Sequence, residues 1–143
     1  MEVRYFTAAE VNRLIPDLED IISHLRLLKE RVEQELVELR ELRARMGGNS
    51  DFFAQEAAID FLTLQARGHI LHIQSLGGQL KDVDKGLVDF PAQIGGQEAM
   101  LCWAFGEPEV RFWHRANEGF SQRKPLAPGA EEGGGAAGSP ADR

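Results

Sequence analysis

Along the first third of the chain, apolar residues recur at alternating intervals of three and four: Val11, Leu14, Leu18, Ile21, Leu25, Leu28, Val32, Leu39, Leu42 and Met46. This is the a/d spacing of a coiled-coil seam, held over about five heptads and interrupted only at Glu35, with Leu36 beside it. Ahead of it, Thr7-Ala8-Ala9-Glu10 has the form of a capping box, in which hydroxyl and carboxylate satisfy the first free backbone donors. Pro16 lacks an N–H and crowds the preceding turn, so the pattern predicts a kink or short break there: a helix over about 8–15, then one over about 16–46.

Gly47-Gly48-Asn49-Ser50 ends that run, and Ser50 or Asp51 can cap a second helix over about 51–81. Its seam reads Ile59, Leu62, Ala66, His69, Ile73, Leu76, Leu80 and Val83. Phe52, Phe53, Phe61, Leu64 and Leu71 widen the apolar surface beyond what one partner helix covers. Gly68, Gly77 and Gly78 weaken the helix. The short connection makes the two long helices antiparallel neighbours.

The period then changes. Residues 86–94 read as extended, with Pro91 confining the strand to an edge or a bulge. Gly95-Gly96 is a two-residue hairpin turn, and residues 98–105 suit a returning strand. Residues 106–109 turn the chain again, and 110–118 are expected to form a short helix with Phe112 and Trp113 inward. From about residue 126 the chain is Gly, Ala, Pro and Glu without apolar period, a tail expected to be disordered. The fold class expected is therefore α+β, mostly α: a long antiparallel helical hairpin carrying a small β-hairpin and a short C-terminal helix. It forms one domain over 1–125, with 126–143 as tail.

Composition narrows the functional classes. Of 143 residues, 23 are Asp or Glu and 16 Lys or Arg, a net charge of -7 that argues against nucleic acid or an anionic membrane as partner. A single cysteine, Cys102, excludes an intrachain disulfide and suits a reducing compartment. With no signal-like start and no apolar run long enough to span a bilayer, a soluble cytoplasmic protein is expected.

Chemistry concentrates between Asp82 and Glu118, where Asp89, Glu107, Glu109 and His114 could hold a divalent metal ion, among Trp103 and Trp113. The competing reading is solvated acids around a hairpin, with His114 packed on Trp113. Cys102, mid-strand, reads as a buried small apolar residue. Arg111, Arg115, Arg123 and Lys124 form a basic cluster that could hold an anion or balance nearby acids. His69 and His72 share a helix face, and Glu35 pairs with His69 if the helical hairpin turns near residue 52 but faces Leu62 and Thr63 if it turns near 49. Nucleotide-cradle glycine motifs and the hydrolase elbow are absent.

The ordered set Tyr-Phe-Thr-x-x-Glu (5–10), Gly-Leu-Val-Asp-Phe-Pro-Ala (86–92), Leu-Cys-Trp-x-x-Gly-Glu-x-Glu (101–109), Trp-His (113–114), Glu-Gly-Phe (118–120) and Arg123 resembles the domain of unknown function 2203 family of bacterial proteins, over about residues 4–126. The resemblance implies no activity. It does imply that Asp89, Trp103, Glu107, Glu109, Trp113, His114 and Arg123 match the family pattern.

Two functions are expected on these grounds. The heptads favour an oligomeric interaction or scaffold module, a homodimer or tetramer through the long helices with a protein partner. The acidic lobe with its histidine favours a metal- or small-acid-binding protein, with hydrolytic chemistry as an extension.

Overall fold

The computed structural model describes residues 3–47 and 51–127. Two helices, α1 (Ala8–Met46) and α2 (Phe53–Ser75), precede five strands: β1 (Gln79–Asp82), β2 (Leu87–Ile94), β3 (Gln97–Ala104), β4 (Phe112–His114) and β5 (Lys124–Pro125). The strands form one antiparallel sheet in chain order. Among the described residues no helix is long and apolar enough to cross a membrane.

The capping box forms: Glu10 N–H donates to Thr7 Oγ1 at 3.2 Å, and Thr7 N–H to Glu10 Oε1 at 2.8 Å. The expected break at Pro16 does not occur, and α1 is continuous. Pro16 lies on the exposed face while Ile15 and Leu18 beside it are buried in the core. Burying those two side chains, about 1.5–3 kcal/mol each, outweighs the roughly 3 kcal/mol a helical proline costs.

Two contacts set the register of α2 against α1: Arg43 pairs with Glu56 at 2.8 Å, and His24 stacks on His69 with ring centroids 5.4 Å apart. Both pairs have midpoints below residue 50, so Glu35 lies away from His69, and the Glu35–His69 pairing is discarded in favour of His24–His69.

The second helix stops at Ser75 rather than near 81. Gly77 turns the chain at φ +100, and a Cβ there would overlap the Phe6 ring. Leu80 and Val83, expected in a helical seam, reach the core from β1 and the turn after it.

The β-hairpin forms about Gly95 and Gly96, at φ 64 and φ 75, but it is the centre of a five-stranded sheet rather than a separate two-stranded unit. Pro91 sits beyond the reach of β1, and its carbonyl accepts from Phe6 N–H at 2.7 Å. The N–H that Pro91 lacks would point to the side of β2 where Phe6 binds, so no ladder bond to β3 is lost. The short C-terminal helix expected over 110–118 does not form: residues 112–114 make β4 against β3, and among the described residues a 3-10 turn, Phe120–Gln122, and the short β5 follow. An aromatic pair beside a vacant sheet edge gains a ladder there that an isolated turn of helix cannot match.

Strand alternation sends Val88, Phe90, Leu101 and Trp103 toward the helices, where they pack with Phe6, Val11, Leu18, Ile22 and Ile73. Leu87, Asp89, Met100, Cys102 and His114 point to the opposite face. The part of the helical hairpin beyond Leu25 buries only Leu39 on α1, and α2 buries only Leu62 and Ile73. The expected disordered tail lies, from residue 128, outside the described residues, while Leu126 still packs on the core and bonds to Arg111 O through its N–H at 2.7 Å.

Candidate metal centre

The sheet face turned away from the helices carries a pocket of about 380 Å³. Its floor is β2 and β3, and its rim comes from Val3 and Tyr5 on one side and residues 116–120 on the other. Face-exposed antiparallel strands normally put polar side chains into water. Here the polar residues are buried: Asp89 is 2% exposed, Cys102 2% and His114 4%.

The register places them. Asp89 lies directly opposite Cys102, and Met100 opposite His114, so His114 is the diagonal neighbour of Cys102 on the next strand. One ligand-type atom from each of Asp89, Cys102 and His114 lies within 4.8 Å of the others.

His114 Nδ1 is 2.7 Å from the Arg115 carbonyl oxygen, and Nε2 is 3.0 Å from Asp89 Oδ2. A carbonyl only accepts, so Nδ1 carries a hydrogen, and a single further proton lies between Nε2 and the carboxylate. Asp89 Oδ1 is buried with no hydrogen-bond partner. Burial pushes the Cys102 thiol up to about 12, and the neighbouring Asp89 charge adds to that.

This is a poor arrangement for a nucleophilic cysteine. Both imidazole nitrogens are engaged, by a carbonyl and by Asp89, which leaves none to draw the thiol proton, and the thiol is held neutral. It suits a cation better. One sulfur, one imidazole nitrogen and one carboxylate oxygen form a mixed donor set of the kind that zinc accepts, and a bound cation would take the place of the shared proton and engage the orphaned Oδ1 carboxylate. The bond from Nδ1 to a backbone carbonyl is the outer-shell contact that orients a ligating imidazole.

Of the residues singled out in the sequence, the fold brings Asp89 and His114 together and sets the others apart. Glu107 is occupied: Oε1 accepts from Ala104 N–H at 2.7 Å, and Arg123 Nη2 donates to both carboxylate oxygens at 2.7 and 2.8 Å. Glu109 is exposed, 3.5 Å from Arg111. Trp103 is buried on the helix face, its Nε1–H donating to Glu107 O at 2.9 Å. Trp113 lies under the cations of Arg115 and Lys124. Arg123 lies between the Phe112 and Phe120 rings, and its Nη2 also donates to Cys102 O at 3.2 Å, bracing the strand behind the site.

The residue that sequence reasoning left out of the site is Cys102. Counting equal steps outward from the Gly95-Gly96 turn puts it opposite Asp89, so a signal was there. No comparable signal pointed to His114 as its neighbour, because that depends on β4 joining the sheet.

The rim is fixed by its own pairs. Glu118 accepts from Arg115 N–H at 2.9 Å and from Lys124 Nζ at 2.5 Å, and the Lys124 ammonium holds its carboxyl below the ordinary range. Tyr5 OH donates to Glu98 Oε2 at 2.6 Å, and that bond to a carboxylate raises the phenol above its ordinary value.

Compared with known proteins, the chain matches the family model described as "Uncharacterized conserved protein (DUF2203)" over residues 4–126. No curated protein and no solved structure matches it.

Proposed function

The chain belongs to the DUF2203 family, whose description names no activity, and from the pocket itself we propose a divalent-cation-binding protein with Asp89, Cys102 and His114 as ligands. The observation that carries this reading is the convergence of three different donor types at a buried sheet face, with Asp89 Oδ1 left without a partner. An unsatisfied buried carboxylate oxygen costs on the order of 1–3 kcal/mol, a cost that a bound cation removes.

Three protein donors are one fewer than a closed structural zinc site uses. The remaining position opens into the pocket, whose volume of about 380 Å³ lies in the range of small-molecule sites. The reading is therefore of an open site that binds a small ligand or water at the cation. Zinc is the first ion to try, given the single thiolate.

The test is elemental analysis and zinc titration calorimetry on the full chain, with cobalt as a spectroscopic stand-in. One ion per chain, a sulfur-to-cobalt charge-transfer band that Cys102→Ala abolishes, and binding unaffected by Glu109→Ala are expected. No bound metal, together with a melting temperature that zinc leaves unchanged, would remove the proposal.

A further inference from the structure

The second helix is apolar on two sides, and only one of them is covered. Leu62 and Ile73 face α1 and the core. On the other side, Ala54, Ala57, Phe61, Leu64, Gly68 and Leu71 are all exposed, with Phe61 61%, Leu64 65% and Leu71 55% accessible. Their separations are three, four, three, four and three: a strict heptad seam, distinct from the one that packs on α1. No charged residue interrupts it.

The seam is also symmetric in size. Laid against a second α2 running the opposite way, Phe61 meets Leu64 of the second copy, Ala57 meets Gly68, and Ala54 meets Leu71. Every layer sets an a against a d position, with the bulky residues central and the smallest pair beside them. A Cβ on Gly68 would have nothing within 4 Å, so nothing in its own chain requires glycine there.

Charge agrees with that register. Of the acidic and basic residues on α2, Glu56 is paired with Arg43, while Asp60 and Arg67 are exposed and make no ion pair among the described residues. Both flank the seam on the same side, one heptad apart. Antiparallel pairing puts Asp60 of each copy beside Arg67 of the other, two ion pairs related by the two-fold. A shallow groove lined by Leu36, Phe53, Ala57 and Asp60 continues the apolar surface onto α1.

We infer that the exposed face of α2 is the seam of an antiparallel, two-fold homodimer of this chain, with Phe61, Leu64 and Leu71 in its core and Asp60–Arg67 pairs fixing direction and register. The dimer leaves the pocket on the opposite side of the sheet clear.

Sedimentation equilibrium on the full chain tests this. A dimer is expected, with Leu64→Glu weakening association at least tenfold while the melting curve of the separated chain stays cooperative, since Leu64 is exposed in the monomer. Asp60→Arg alone, which sets like charges together, should weaken association several-fold, and Asp60→Arg with Arg67→Asp should restore it. A monomer at all concentrations, a dimer indifferent to Leu64→Glu, or a charge swap that restores nothing overturns the inference.

Discussion

His114 Nε2 lies 3.0 Å from Asp89 Oδ2 with both side chains at most 5% exposed, so the two residues hold a proton between them inside the sheet. Asp89→Ala leaves a buried imidazole without its partner and should cost about 3 kcal/mol in urea unfolding of the metal-free protein. Asp89→Asn can still donate to Nε2 and should cost under about 1 kcal/mol. Equal losses in the two variants would mean that the pair does not share a proton as described.

Arg123 and Glu107 make the other well-shielded pair, with side chains 10% and 20% exposed. Arg123→Ala loses the contact of one guanidinium nitrogen with both Glu107 oxygens, two aromatic faces and the bond to Cys102 O, and should destabilise by roughly 2–3 kcal/mol. A double-mutant cycle with Glu107→Gln should return a coupling of at least about 1 kcal/mol.

Gly77→Ala should be much worse than Gly106→Ala although both glycines have φ +100. The first would drive a methyl group into the buried Phe6 ring, whereas the second meets open space. A loss of about 1 kcal/mol for Gly106→Ala and at least about twice that for Gly77→Ala is expected in thermal melts.

Replacing Pro16 by Ala should stabilise the protein by roughly 1–3 kcal/mol, because α1 is already continuous there and the new N–H falls in line with its ladder. Hydrogen exchange should slow in the turn around residue 16.

The Glu10 carboxyl is held below its ordinary range, chiefly by the bond from Thr7 N–H. Its stabilisation is therefore fully present above the unfolded-chain value, about 4.3, and fades as pH falls through the lower folded value. Glu10→Ala should cost roughly 0.5 kcal/mol at pH 7, a modest figure because the carboxylate is solvent-screened. The gap to the natural chain should narrow in melts as pH falls through that lowered value.

How far the chain could be read depended on how local each feature is. The capping box at Thr7 and Glu10, the helical period of α1 and the Gly95-Gly96 turn depend on neighbours within a few residues, and all three were legible from the order of amino acids. That Gly77 and no larger residue fits at the stop was not, because the Phe6 ring, some seventy positions away, lies where a Cβ there would go. Residues 112–114 hold too few side chains to prefer helix or strand by themselves, and the vacant edge of β3 decided for strand. The candidate site divides the same way. Asp89 and His114 were marked by their chemistry, and the hairpin turn already aligned Asp89 with Cys102. That these three converge, while Glu107 is drawn off by Arg123 and Glu109 is left in water, was settled only by sheet register and by which carboxylates found a cation first. Sequence sets periodicity and donor types because those act along the chain; the tertiary structure assigns partners because partners compete across it.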